Sequence, residues 1–142
     1  MSSSLSSGQR YKFTNVKGGT ILDLSGGDNR SLIGYEDHGG DNQRWILENG
    51  NDNQWFIKNA QSGQYINVDG QPQNGAALIV GGDQFVWNIW PDERDQSHFR
   101  IFDPNTDLNF DLADHGNPTP GTKVQLWDKT PGKGQTWIIE EA

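Results

Sequence analysis

The chain predicts an all-β architecture of about twelve short strands with three-fold pseudosymmetry, and three observations carry that prediction. Eighteen Gly, six Pro and many Asn and Asp residues cut the 142-residue sequence into short apolar pieces. No stretch combines an N-cap, a sustained helical spacing of apolar residues and a C-cap, whereas short alternating runs between polar turns recur throughout. The same pattern also returns at a fixed interval. Tyr11, Trp55 and Phe99 are spaced by 44 residues at each step, and so are Asp23, Asn67 and Asp111.

Each copy opens with an aromatic residue on an alternating strand that ends in a turn former: YKFTN (Tyr11 to Asn15), WFIKN (Trp55 to Asn59) and FRIFD (Phe99 to Asp103). Alternation of this kind fits a half-buried strand, and Asn or Asp fits the turn after it. The second strands are ILDL, YINV and NFDL, followed by turns over 25–30, 69–74 and 113–121. The third strands are expected at Ser31 to Tyr35, Ala76 to Val80 and Lys123 to Trp127. A glycine-containing loop then leads to a closing strand: Gln43 to Leu47, Val86 to Trp90 and Gln135 to Ile139. One such unit cannot bury its own apolar face. Three packed around an axis can, and they leave few free edges. The chain therefore divides into a loose tail over 1–7 and one domain over 8–142, with repeats at about 8–51, 52–95 and 96–142.

The apolar repeat positions are assigned to the core: Phe13, Ile21, Leu22, Leu24, Leu32, Trp45, Leu47, Ile57, Ile66, Val68, Leu78, Trp87, Ile89, Ile101, Phe110, Leu112, Val124, Leu126, Trp137 and Ile139. Trp45, Trp87 and Trp137 recur at the closing position and belong to that core. Trp127 is the better surface candidate.

A net charge of −8 argues against nucleic acid and against anionic membrane as partners, since both require a basic footprint. No apolar run is long enough for direct membrane insertion as a helix. The chain has no Cys, which removes disulfides, thiolate metal sites and a Cys nucleophile, and agrees with a reducing compartment. The opening MSSSLSSGQRY has neither the basic nor the apolar region of a secretion signal. Uncharged polar ligands remain open.

The chemistry concentrates in the first copy. Asp23 lies within an apolar strand, where a carboxylate needs a hydrogen-bond partner. It can cap a turn or accept hydroxyl protons from a ligand. Tyr35, His38, the Gly39-Gly40 loop, Asn42 and Gln43 accompany it. An acceptor, an aromatic face, a ring donor and two carboxamides suit a sugar, whose hydroxyls need mixed partners and whose C–H face lies on a ring. The third copy keeps Asp111, Gln125, Trp127 and Gln135, but has Gly134 where the first has Asn42 and a lysine-containing loop, DKTPGKG. It is a possible second site. The second copy has Asn67 for Asp, Gly81 near the aromatic position and no Q-x-W closure, so no site is expected there.

The Q-x-W closures (Gln43 to Trp45 and Gln135 to Trp137) and the threefold repeat resemble those of ricin-B-type β-trefoil lectins. ILDLSGGDNRSLIGYEDHGGDNQRW, WNIWPDE and LNFDLADHGNPTPGTKVQLW resemble the mushroom members of that family more closely, over roughly residues 8–142. The resemblance implies a β-trefoil that binds glycans of galactose or N-acetylgalactosamine type without changing them. It implies that Asp23 and Asn42 hold ring hydroxyls with Gln43 second, that Tyr35 or His38 stacks, and that the Gly39-Gly40 backbone approaches the sugar. Ile33 departs from the Gln that members often carry. Mushroom members are commonly cytoplasmic homodimers implicated in defence against nematodes and insects, and these properties are carried over as expectations. No cofactor and no metal are expected.

Other functions fit less well. A glycosidase needs two carboxyl groups about 5 to 10 Å apart, and Asp23 and Asp111 belong on different faces of a pseudosymmetric barrel. His38, His98 and His115 are the only histidines, and no G-x-S-x-G accompanies them. Asp103, Asn105 and Asp107 copy the start of a calcium loop, with Asp114 twelfth, but Leu108 replaces the required Gly, and a turn is the expected reading. The main alternative is a β-trefoil protease inhibitor, a function the same fold supports through exposed loops.

Overall fold

The computed structural model describes residues 5–142. Each repeat contributes four strands. The first holds β1 (Arg10–Asn15), β2 (Ile21–Leu24), β3 (Leu32–Tyr35) and β4 (Trp45–Asn49). The second holds β5 (Gln54–Asn59), β6 (Tyr65–Val68), β7 (Leu78–Gly81) and β8 (Trp87–Pro91). The third holds β9 (Phe99–Phe102), β10 (Asn109–Leu112), β11 (Thr122–Trp127) and β12 (Trp137–Glu141).

The first and last strands of the copies pair in the closed cycle β1, β4, β5, β8, β9, β12 and back to β1. This cycle is the barrel. The middle strands form the hairpins β2–β3, β6–β7 and β10–β11. The hairpins touch one another through β3–β11 and through bridges at Ser31–Ile79 and Ala77–Gln125. A six-stranded barrel capped by three mutually paired hairpins is a β-trefoil, as the repeat and the resemblance implied.

All twenty apolar repeat positions are buried. Tyr11, Trp55, Ala76, Val80, Phe99 and Leu108 join them. Trp45, Trp87 and Trp137 are fully covered, and each indole N–H donates to a backbone carbonyl of a middle strand: Leu22, Ile66 and Phe110. Each such side chain removes roughly 150–250 Å² from water, on the order of 4–6 kcal/mol as an upper estimate. The indole hydrogen bonds tie the closing strand of each copy to the strand that carries its Asp or Asn. The core thereby sets the height of the candidate site.

Two expectations are corrected. The closing strands begin at the Trp itself, because Asp41–Gln43 and Lys133–Gln135 form 3₁₀ turns ahead of β4 and β12. The expected loose tail over 1–7 is held at its inner end, while residues 1–4 lie outside the described residues. Leu5 packs on the core, the Ser6 N–H donates to the Tyr11 hydroxyl at 2.7 Å, and the Ser7 hydroxyl accepts from the Asn49 N–H at 3.0 Å. The loop after β9 is a turn: Asp103 is fully buried, and its two oxygens accept from the Asn105 N–H and the Thr106 hydroxyl. Among the described residues no helix is long and apolar enough to cross a membrane.

Candidate functional site

The first-copy cleft has a volume of about 340 Å³ and is lined by Asp23, Ser25, Gly26, Gly27, Ile33, Tyr35, His38 and Asn42. Hairpin β2–β3 supplies its floor, with Asp23 directly opposite Ile33. The turn after β2 supplies one wall, closed by Asp28, whose carboxylate accepts from the Arg30 and Ser31 N–H groups and the Ser31 hydroxyl. These donors, that hydroxyl foremost, hold its pKa down at about 2.

Asp23 is 3% exposed. Its Oδ2 accepts from Gln43 Nε2 at 2.9 Å and from Asn42 Nδ2 at 3.2 Å. No described residue donates to Oδ1, so that oxygen is free for a ligand hydroxyl. Burial raises the Asp23 pKa above its ordinary value, partly offset by the Gln43 amide, by the nearby His38 and by Asn42. His38 Nε2 lies 3.8 Å from Asp23 Oδ2. His38 Nδ1 accepts the Gly40 N–H at 3.2 Å, which assigns the proton of a neutral ring to Nε2, the nitrogen nearest Asp23. Tyr35 stands edge-on to His38, with ring centroids 6.3 Å apart, and is one of the few exposed large aromatics. The cleft thus presents an acceptor, a ring donor, a carboxamide and an aromatic corner.

Two expected contacts take a different role. Gln43 is fully buried and has no free polar group toward the cleft. Its amide nitrogen donates to Asp23 and to the Glu36 carbonyl, and its oxygen accepts the His38 N–H. It positions Asp23 and His38. The Gly39 and Gly40 N–H groups are donated inward, to Asp37 Oδ1 and His38 Nδ1, and neither glycine lines the cleft. Gly39 has a left-handed φ of 76°, and a Cβ on Gly40 would stand 2.6 Å from the His38 ring and 2.7 Å from Asn42 Oδ1. The pair is needed to fold the loop so that His38 and Asn42 meet over Asp23.

The third-copy cleft is larger, about 530 Å³, and includes Asp111, Gln125, Trp127, Lys133 and Gly134 with Lys17, Asp114 and His115. Trp127 is 39% exposed, as expected for a surface candidate, although Trp90 at 44% is the more exposed. Both oxygens of Asp111 are engaged, Oδ1 by Gln125 Nε2 at 3.2 Å and Oδ2 by Gln135 Nε2 at 2.9 Å. Gln135 is in turn held by Arg100, whose buried guanidinium also binds Asp92, Asn109 and the Thr130 carbonyl. Arg100 escaped the sequence reading because its strand position is Lys12 in the first copy and Phe56 in the second. The absence of Asn at 134 has a packing cause: a Cβ there would lie 3.0 Å from the Gly116 nitrogen. Gly116 ends the Ala113–Gly116 turn, in which Asp114 and His115 both take left-handed φ.

The second copy holds no comparable arrangement. Phe85 stands where the other copies have Gln43 and Gln135, and stacks against Trp87 at 4.5 Å. Asn67 spends its amide on the Asp83 carbonyl and its oxygen on the Val68 N–H.

A β-trefoil whose clefts combine a carboxylate, carboxamides and an exposed aromatic ring is the architecture of a sugar-binding module. The chain matches the family model described as "Ricin-type beta-trefoil lectin domain-like" over residues 3–81 and 41–127. Among solved structures it is similar to the Macrolepiota procera ricin B-like lectin in complex with lactose, at 47% identity, with 99% of this chain and 100% of that chain covered and a TM-score of 0.95. It is also similar to the Rhizoctonia solani agglutinin, at 27% identity with both chains fully covered and a TM-score of 0.87. The designed three-fold symmetric protein ThreeFoil shares the fold, at 23% identity over 94% of this chain and 99% of that one, with a TM-score of 0.85. A search of curated protein sequences finds no match. The chain belongs to the ricin-type β-trefoil lectin family.

Proposed function

We propose that this lectin binds glycans ending in galactose or N-acetylgalactosamine, such as lactose or GalNAcβ1-4GlcNAc, at the first-copy cleft and without catalysis. The observation that carries the reading is the free Oδ1 of Asp23 in a cleft roofed by His38 and Tyr35. A carboxylate oriented through Oδ2 by two amides and open at Oδ1 is ready to accept sugar hydroxyl protons, while His38 Nε2 supplies a donor and Asn42 Oδ1 a second acceptor. Tyr35 supplies the face for the sugar C–H bonds. The similar Macrolepiota procera lectin, in complex with lactose, supports the galactose-type choice.

A shallow cleft of this kind gives dissociation constants on the order of 0.1–1 mM, or about −4 to −5.5 kcal/mol. Useful strength then comes from presenting several sites together, and a homodimer acting on glycoprotein or glycolipid surfaces is the simplest arrangement. A cytoplasmic defence lectin is the biological role that goes with this reading.

The test is a glycan-array screen of the wild type beside Asp23→Ala, with circular dichroism to confirm folding. Asp23→Ala is expected to weaken galactose-type binding by about 10- to 100-fold, the worth of hydrogen bonds to a charged acceptor. Unchanged binding would move the site to Asp111 and Trp127. Absence of any glycan signal from either protein would discard the sugar reading in favour of an assay on a protease panel.

A further inference from the structure

The 3₁₀ turn that carries Asn42 is not held by its own repeat alone. Asn59, the last residue of β5 in the next repeat, donates its amide nitrogen to the Asn42 carbonyl at 3.1 Å. Its neighbour Ala60 donates its backbone N–H to the Arg44 carbonyl at 2.9 Å. The orientation of the Asn59 amide is fixed, because its oxygen already accepts the Gln61 and Ser62 N–H groups at 3.1 and 3.0 Å. Only the nitrogen can face the turn.

The junction between the third and first repeats is built the same way. Asn15 donates to the Gly134 carbonyl at 2.9 Å, and the Val16 N–H donates to the Thr136 carbonyl at 3.0 Å. The Asn15 oxygen accepts from Lys17 and Gly18, as that of Asn59 does from its own turn. At the junction that would serve the second repeat, the corresponding residues are Asp103 and Pro104. Aspartate oxygens accept, and these are taken up by Asn105 and Thr106. Proline has no N–H to give. Both donors are missing at the junction facing the copy that has no 3₁₀ turn and no Asp–Gln pair.

We infer that each of the two clefts built on an Asp–Gln pair is clasped by the repeat that follows it, and that Asn59 is a positioning residue for the first cleft. The clasp fixes the turn on which Asn42 and Gln43 sit, and these two residues orient Asp23. Loss of the clasp and loss of the site go together in the second copy because a site without the brace has a loose closing turn. Asn59 is fully buried and does not line the cleft. It acts through the Asn42 backbone. The affinity arm of the test below rests on the first-copy cleft being the sugar site; the exchange arm does not.

The experiment compares Asn59→Asp with Asn15→Asp, two near-isosteric changes at equally buried positions that each remove one donor and keep the turn acceptor. Amide hydrogen exchange is followed at Gln43 and Arg44, whose N–H groups close the first turn onto Gly40 and Asp41, and at Gln135 and Thr136, which close the other onto Gly132 and Lys133. Asn59→Asp should speed exchange at Gln43 and Arg44 alone, and Asn15→Asp at Gln135 and Thr136 alone. In lactose titrations, Asn59→Asp should bind roughly three- to tenfold more weakly, the worth of one hydrogen bond, while Asn15→Asp leaves the first cleft as it was. If Asn59→Asp does not fold, Asn59→Ser keeps a turn acceptor with a side chain too short to reach the Asn42 carbonyl, and the same local exchange is expected. Unchanged exchange at Gln43 and Arg44, or equal weakening of lactose by both variants, would overturn the inference. Local exchange as expected, with no lactose bound by the wild type, would leave the clasp standing and remove the sugar assignment.

Discussion

The first and third clefts stand on the same hairpin geometry and differ in what holds the carboxylate. In the first, Ile33 faces Asp23 across the hairpin and donates nothing, so one oxygen stays open. In the third, Gln125 takes that place opposite Asp111 and fills it. Beneath them, Gln43 is held by backbone, whereas Gln135 is also held by a buried guanidinium. A repeat can therefore keep its Asp and its Q-x-W closure and still offer a ligand a different surface. Motif retention counts the parts; the free valence on the carboxylate decides what they can do.

Arg100 is the sharpest way to break the comparison. Arg100→Met removes the partner of buried Asp92 and one acceptor contact of Gln135, and is expected to cost about 3–5 kcal/mol because it strands a buried charge. Urea unfolding measures that loss. Lactose binding by the folded fraction should stay at the wild-type value, since the first cleft makes no contact with Arg100. A matching loss of lactose affinity would contradict the separateness of the two clefts.

A smaller effect is expected from Gly134→Asn, which copies the first-cleft residue into the third. The new side chain meets the Gly116 backbone and should destabilise the protein by about 1–3 kcal/mol, the usual range for overpacking. A variant as stable as the wild type that gains affinity for galactosides would show that the Ala113–Gly116 turn yields easily.

The smallest effect concerns pH. Burial raises the Asp23 pKa, so lactose binding should be complete above that raised value and fall as the pH drops through it. Its contribution to folding runs the other way, growing as the proton is taken up. Asp92 does the opposite. Burial pushes its carboxyl up, but Arg100 and the Arg94 N–H more than compensate and the pKa is lowered, so its stabilisation is lost as pH falls through that lowered value. Ile33→Gln adds a donor to Asp23 Oδ1, favours the charged form and should shift the binding midpoint to lower pH, with weaker lactose binding throughout because it occupies the oxygen left open for the sugar. A titration of lactose affinity across the acid range reads both changes, and an unmoved midpoint would show that the Gln side chain turns away.

The sequence by itself determined the period, the four strands per copy, the core and the set of residues around Asp23. Those features are local or periodic: alternation marks strands, turn residues mark their ends, and a 44-residue repeat forces equivalent positions into equivalent environments. Asp103 matched Asn15 and Asn59 as a turn former, and the cost of its missing amide donor lies in another copy. What only the tertiary structure decided is who partners whom. Gln43 and the glycine pair moved from ligand contact to support because the Gln43 amide and the two glycine N–H groups are consumed within the loop. Arg100 and Asn59 emerged because a hydrogen bond depends on the position of atoms brought together by barrel closure, and no spacing along the chain records which carbonyl a side-chain nitrogen will meet.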